Sequence, residues 1–280
     1  MGALFLTQMA PLVAPEPVSA TRTSPTTSPT KRNAPNRLLR PATTTSRSSG
    51  GSGEVLLRDT FSVPDGLITN EYSFWNAGTP GSTSSPVWEM TSGSLFARAG
   101  VAWSGIPDTV DPNSTSSNGT DSAIFRMVTR RKDFTNVTVS FRLRRDSLTS
   151  TAATPAVAWD GEYVFLRYAS ETSLYYASFD RRDGTTAIKK KVTGGTSNGG
   201  TYYTLASGRG TFAPGIFHTV RSTITDNPDG SATIRLWVDG ALVLSATDTG
   251  IGGPVIRSGG VGIRGDNADF SFDDFLVTTP

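Results

Sequence analysis

Along most of the chain, apolar and polar residues alternate one for one. The stretch "NVTVSFRLRR" (136–145) is the clearest. Val137, Val139, Phe141 and Leu143 fall on one side, and Asn136, Thr138, Ser140, Arg142 and Arg144 on the other. A period of two marks a strand with one buried and one wet face. Similar runs occur at 123–130, 162–169, 173–180, 217–225, 232–240, 241–246, 259–265 and 269–277. No long stretch carries an apolar i, i+3, i+4 stripe, so no substantial helix is expected. Asp-Gly pairs at 160–161, 183–184, 229–230 and 239–240 punctuate the runs. Asp239-Gly240, between "IRLWV" and "ALVLSA", predicts a two-residue hairpin turn with both φ angles positive. Many short strands with regular turns predict an all-β antiparallel sandwich or jelly roll.

The alternation begins only at Glu54. Residues 1–53 are rich in Pro, Ser, Thr and Arg and end in "SSGGSG", a flexible hinge composition. Such a segment has too little apolar surface to offset its own ordering entropy. Two domains follow: a low-complexity N-terminal arm or linker (1–53) and a sandwich (54–280). If the arm serves assembly, Leu4, Phe5 and Leu6 in "MGALFLTQMAPLV" would anchor it, and Arg37, Leu38, Leu39 and Arg40 would form a second grip. The alternative is a signal and linker. The start has no Lys or Arg before its apolar residues, and Pro11 interrupts them, which does not favour that reading.

Charge sharpens the division. The arm holds six bases against one acid, while the remainder holds twenty bases against twenty-three acids. The body therefore lacks the overall basic balance expected of a nucleic-acid binder, and no specific nucleic acid is expected as a partner. No run approaches the ~18–20 apolar residues of a membrane span. The chain has no cysteine, which removes disulfides, thiolate metal sites and cysteine nucleophiles.

Four stretches, in order over 55–280, resemble the concanavalin A-like (laminin-G-like) jelly-roll modules. They are "LLRDTFSVPDGLITNEYSFWN" with "PVWEMTSGSLFARAG", "FHTVRSTIT", "IRLWVDGALVLSA" and "GGVGIRGDNADFSFDDFLV". That superfamily spans lectins, carbohydrate-binding modules, glycosidases, lyases and phage tail proteins, so fold alone does not settle function. Behind such an arm, the module looks most like those of actinobacteriophage minor tail or virion structural proteins. The resemblance implies a non-enzymatic virion component at a tail tip, fibre or head decoration, with the protein located in the virion. It would contact other virion proteins through its arm, assemble as a homo-oligomer and bind protein or host cell-surface glycan. The alternative is a secreted bacterial carbohydrate-binding module or glycan lyase. Members often hold a structural Ca²⁺ between first and last strands, which here would fall to Asp59, Asp273 and Asp274; no other cofactor is expected.

Catalytic chemistry finds little support. A retaining glycosidase needs two carboxylates ~5–5.5 Å apart, and the nearest pair, Asp160 and Glu162, is interrupted by Gly161. One histidine, His218, and no cysteine leave a zinc site nearly excluded, and His218 reads as a strand residue with a structural hydrogen bond. For glycan binding, regular alternation puts Tyr163, Phe165 and Arg167 on one face. Trp103, Tyr202 and Tyr203 fall in or near polar Gly/Ser/Thr loops, the default recognition surface of a sandwich. In "DGLITNEYSFWN", Leu67, Ile68 and Trp75 are expected in the core with Phe61 and Trp88, leaving Asn70, Glu71 and Tyr72 as a polar bend open to a partner. In "FSFDDF", Phe272 and Asp274 share one face and Asp273 and Phe275 the other.

Overall fold

A computed structural model describes residues 53–105 and 123–280. The assembly-arm residues Leu4, Phe5, Leu6, Arg37, Leu38, Leu39 and Arg40 lie outside the described residues. Sixteen strands and one short helix are described. The first sheet runs β14 (Ala241–Asp248), β13 (Ala232–Val238), β12 (His218–Asp226), β7 (Val137–Leu148), β16 (Ala268–Thr278), β5 (Val101–Trp103), β4 (Ser94–Arg98), β2 (Gly66–Asn70), with β1 (Val55–Asp59) also paired to β16. The second runs β11 (Gly200–Arg209), β10 (Thr185–Ser197), β9 (Ser173–Arg181), β8 (Gly161–Ser170), β15 (Gly260–Asp266), β6 (Ile124–Thr129), β3 (Trp88–Ser92). Every described pairing is antiparallel. The two sheets form the sandwich that the alternation predicts.

In β7, Val137, Val139, Phe141 and Leu143 all enter the core while their neighbours stay half-buried. The Asp239-Gly240 turn has φ of 51° and 81° and joins β13 to β14, as its sequence requires. Two further turns have the same signs: Ala99-Gly100 (53°, 78°) between β4 and β5, and Asn198-Gly199 (47°, 74°) between β10 and β11. The second lies in "TGGTSNGGTYYT", which composition marks as a polar loop and which is instead a hairpin tip.

An aromatic clasp ties the first described strand to the last. Trp88 Nε1 donates to Asp59 Oδ2 at 2.7 Å. Phe61 stacks on Trp88, and Trp88 meets Phe275 edge-on at 4.9 Å. Phe61 and Trp88 are thus core residues as expected. Trp75 is not: it is 50% exposed. A one-turn helix, α1 (Glu71–Trp75), starts where Asn70 Oδ1 accepts from the Ser73 backbone N–H, and it swings the ring outward. The same turn buries Asn70 and Glu71, and the Glu71 carboxylate accepts from the Gly93 N–H at 2.8 Å. Of the expected polar bend, only Tyr72 keeps surface.

The "FSFDDF" register also differs from regular alternation. Asp274 has φ 53° and the β16–β7 pairing slips there, so Phe272 and Phe275 both face the core. Buried Asp273 and exposed Asp274 are left side by side, both paired with Arg142.

Candidate functional site

The outer face of the second sheet carries its own apolar cluster, separate from the core: Val128, Tyr163, Phe165, Tyr168, Leu174 and Tyr176, with Tyr202 packed against it. Strand register builds it. Tyr163 and Phe165 alternate along β8. Tyr176 lies beside Phe165 on β9, and Lys189 of β10 is opposite Tyr176. Lys191 is opposite Tyr202 of β11. On the other flank Arg264 of β15 stands opposite Tyr163 of β8 and opposite Arg126 of β6.

The rings interlock edge to face. Tyr163 and Tyr176 meet at 5.1 Å and 86°, and Tyr176 and Tyr202 at 5.5 Å and 65°. Beside them opens a cleft of about 450 Å³, walled by Trp159, Tyr163, Tyr176, Tyr202, Arg181, Lys189 and Arg264 among others. Tyr202 and Arg264 also line a smaller hollow with Arg126, Tyr168, Glu171 and Lys191. Tyr168 and Glu171 in turn line a third hollow ending at Trp75. The three share walls in a row along β8, a groove that narrows at its middle to about 10 Å³ of free space beside Arg126, Lys191 and Arg264. That strand has ten residues, or about 30 Å at ~3.3 Å per residue. An exposed indole stands at each end: Trp159 is 54% exposed and Trp75 50%.

Arg264 is held by Asp266, its Nε donating to Oδ1 at 2.8 Å, while its Nη1 donates to the Tyr202 hydroxyl at 3.2 Å. Arg181 Nη2 donates to Asp183 Oδ2 at 2.8 Å. Neither Lys189 nor Lys191 has an ion-pair partner among the described residues. Burial and the neighbouring Arg126 and Arg264 push the Lys191 ammonium down to about 8. Burial chiefly raises the Tyr176 phenol, so it stays protonated at neutral pH.

Of the five residues expected to bind glycan, the structure brings two together, Tyr163 and Tyr202. Arg167 is not on their face. Its φ is 45°, and the β8–β15 pairing slips beside it. The slip turns Arg167 inward to Thr135 O, Ile256 O, Asn136 Oδ1 and Asp226 Oδ1, and Tyr168 joins the outer cluster instead. Tyr203 points to the opposite side of β11 and presses on Gly252, where an added Cβ would lie 2.2 Å from its ring. Trp103 sits on the other sheet with the Arg98 guanidinium 3.7 Å over its ring. Sequence reasoning missed Lys189, Lys191, Arg126, Arg264 and Trp159. The run "KKK" at 189–191 is the signal that was present: Lys190 is fully buried on Asp248 while its two neighbours face the groove.

The expected calcium ligands do not fit that ion. Asp59 is engaged by the Phe61 N–H and the Trp88 indole, and Asp273 and Asp274 both by Arg142. A guanidinium beside two of the three carboxylates supplies the charge a cation would. Among the described residues, no group of three or more His, Asp or Glu is arranged to hold a metal. His218 sits outside the groove, its Nδ1 at 2.7 Å from Asp239 Oδ2 and Nε2 at 3.0 Å from Ala213 O.

No family model matches the chain, and no curated protein does. Among solved structures it is similar to a Bacillus subtilis protein of unknown function with a galectin-like fold, at 12% identity and TM-score 0.54, covering 82% of this chain and 97% of that one. It is also similar to a carbohydrate-binding module of Bacillus subtilis (10% identity, TM-score 0.48, 68% and 94% covered). An alginate lyase aligns at 9% identity and TM-score 0.44, with 79% and 96% covered. At such identities the first likeness bears on fold: a galectin-like, jelly-roll sandwich.

Proposed function

We propose that the protein is a non-enzymatic glycan-binding component, and that the groove along β8 is its binding site. One observation carries this reading: a ladder of interlocked tyrosines beside a 450 Å³ cleft, flanked by guanidinium and ammonium groups. Sugar rings offer apolar C–H faces and a rim of hydroxyls. Aromatic planes match the first, and polar groups fixed at the edge match the second. A glycan array probed with the full chain tests it. Specific binding that Tyr202→Ala weakens supports the reading; no binding to any glycan sinks it.

The finer reading places this component on a phage particle, held by residues 1–53 and displaying the sandwich. Its support is the composition of the arm and the jelly-roll resemblance. Purified particles should contain the protein, and deletion of 1–53 should abolish its incorporation while leaving glycan binding intact. Recovery of a cleaved mature chain from culture medium would favour the secreted alternative.

A second reading, a glycan lyase, rests on Lys191. An amine lowered to about 8 beside Arg126 and Arg264 has the makings of a base next to groups that neutralise an acid. Release of unsaturated sugar ends from a polyuronate, lost in Lys191→Gln, would establish it.

A further inference from the structure

We infer that the groove selects an acidic polysaccharide, seating a carboxylate or sulfate of the chain between Arg126, Lys191 and Arg264. The inference rests on the glycan-binding reading above and names the class of glycan.

The charges of the groove do not balance. Five cations line its two inner hollows: Arg126, Arg181, Lys189, Lys191 and Arg264. Three carboxylates answer them. Asp266 serves Arg264 and Asp183 serves Arg181, both at hydrogen-bond distance. Glu171 reaches Arg126 only at 3.4 Å and is itself partly solvated. The surplus of two rests on Lys189 and Lys191.

This surplus is crowded as well as unanswered. Arg126 and Arg264 are register partners on adjacent strands, and Lys191 joins them in one hollow. Like charges so close repel, and burial removes the water that would screen them. Burial first, and then the charges of Arg126 and Arg264, hold the Lys191 ammonium down. An anion placed among the three would relieve both penalties, whereas a neutral sugar would relieve neither. The body of the protein carries three more acids than bases. The cationic surplus is therefore a local feature of this face, not a general polyanion surface.

The length and ends of the groove argue for a polymer. Sugar units along β8 would lie over the half-buried Tyr202, with Trp159 and Trp75 meeting the chain where it leaves. The Trp75 end carries Glu89 and Glu171 against a lone Lys132, so the anion-binding stretch is confined to the part of the groove that holds Arg126, Lys191 and Arg264. Single-stranded nucleic acid also combines anions with flat rings, and the oligonucleotide below tests it.

Calorimetry on the full chain tests the inference with four probes: polygalacturonate, the same polymer with its carboxyls reduced, dextran sulfate and a thymidine oligonucleotide. Polygalacturonate or dextran sulfate should bind, and whichever binds tells carboxylate from sulfate. The carboxyl-reduced polymer should bind at least about tenfold more weakly than polygalacturonate if carboxylate is the anion, as expected for one charged hydrogen bond lost. Affinity for the acidic polymer should also fall as pH rises through about 8, where Lys191 loses its proton. The other charged or titratable groups facing Lys191 are Arg126, Arg264, Glu171 and Tyr202. Lys191→Gln should cost about tenfold in affinity; should it fold poorly, the pH and salt dependence of the unmodified chain carries the test. Equal affinity for reduced and acidic polymers overturns this inference and leaves the glycan-binding reading standing. Binding to the oligonucleotide alone overturns both.

Discussion

Arg167 Nη1 lies 2.9 Å from Asp226 Oδ1, joining strand β8 of one sheet to strand β12 of the other. The guanidinium serves four acceptors at once and its side chain is wholly buried. It is a bolt between the layers. By turning inward it also sets Tyr168 on the outer face, where the groove runs. Sheet pairing and site geometry thus meet at one residue with a left-handed φ.

Replacing Arg167 with Met should destabilise the protein markedly. Loss of one partner from a buried ion pair costs about 3–5 kcal/mol. Asp226 is partly exposed and keeps Arg257 at 2.8 Å, so about 2–3 kcal/mol is the expected loss. Arg167→Lys should recover only part, since one ammonium cannot reach four acceptors spread in a plane. Denaturant unfolding of the two variants checks both statements, and a change under about 0.5 kcal/mol, the level of an ordinary surface substitution, would remove Arg167 from this role.

In the groove, Trp159→Ala and Tyr202→Ala should each weaken glycan binding by about 1–2 kcal/mol, roughly five- to thirtyfold. Neither ring is fully buried, so folding should be little affected. Trp103→Ala, on the opposite sheet, should leave affinity unchanged. Titration of the three variants against the best glycan from the array decides it. Loss of binding in Trp103→Ala alone would move the site to the other face.

The sandwich was legible because β7, β12 and β13 each have a wet face and a dry one, so their alternation is complete. β8 defeats that logic. Eight of its ten residues are buried, since its outer side is roofed by the groove's own aromatics. With no wet face, "EYVFLRYA" shows which residues are apolar but not where the register slips. Trp75 was misplaced for a local reason: a single helical turn, set by one Asn70 side chain, is too short to leave a periodic trace. The cations Arg126 and Arg264 are 138 positions apart in sequence, and only the β6–β15 pairing brings them together.

His218 gives a pH signature of stability. Burial alone would lower its value, but the Asp239 carboxylate and the Ala213 carbonyl outweigh this and raise it. Both ring nitrogens face acceptors, so the imidazolium, donating from each, is the form that fits. A raised folded value means the contribution is full below about 6.5, the unfolded value, and fades as pH rises through the folded one. Denaturant midpoints across that window should decline for the wild type. Asp239→Asn should flatten the decline, because its amide can still accept from the Thr219 N–H but no longer favours a charged ring.

Glu162 offers the opposite kind of test, in which removing a group should help. It points into the sandwich beneath β8, and neither carboxyl oxygen hydrogen-bonds to another residue. Burial, and then the negative charge of Asp180, raise its value well above that of a free glutamate, with Arg145 opposing. Folding therefore favours the neutral acid, while the unfolded chain ionises it at ordinary pH. The contribution is full below the unfolded value and is lost as pH rises through the raised folded one. At neutral pH the residue is thus a liability. Glu162→Leu keeps most of the volume and removes the unsatisfied oxygens, so it should stabilise the protein by about 1–2 kcal/mol near pH 7. The gain should shrink on acidification toward the unfolded value. Unfolding of variant and wild type at both pH values measures the difference; a variant less stable than wild type at neutral pH would mean that Glu162 is ionised and held by Arg145 as a working ion pair.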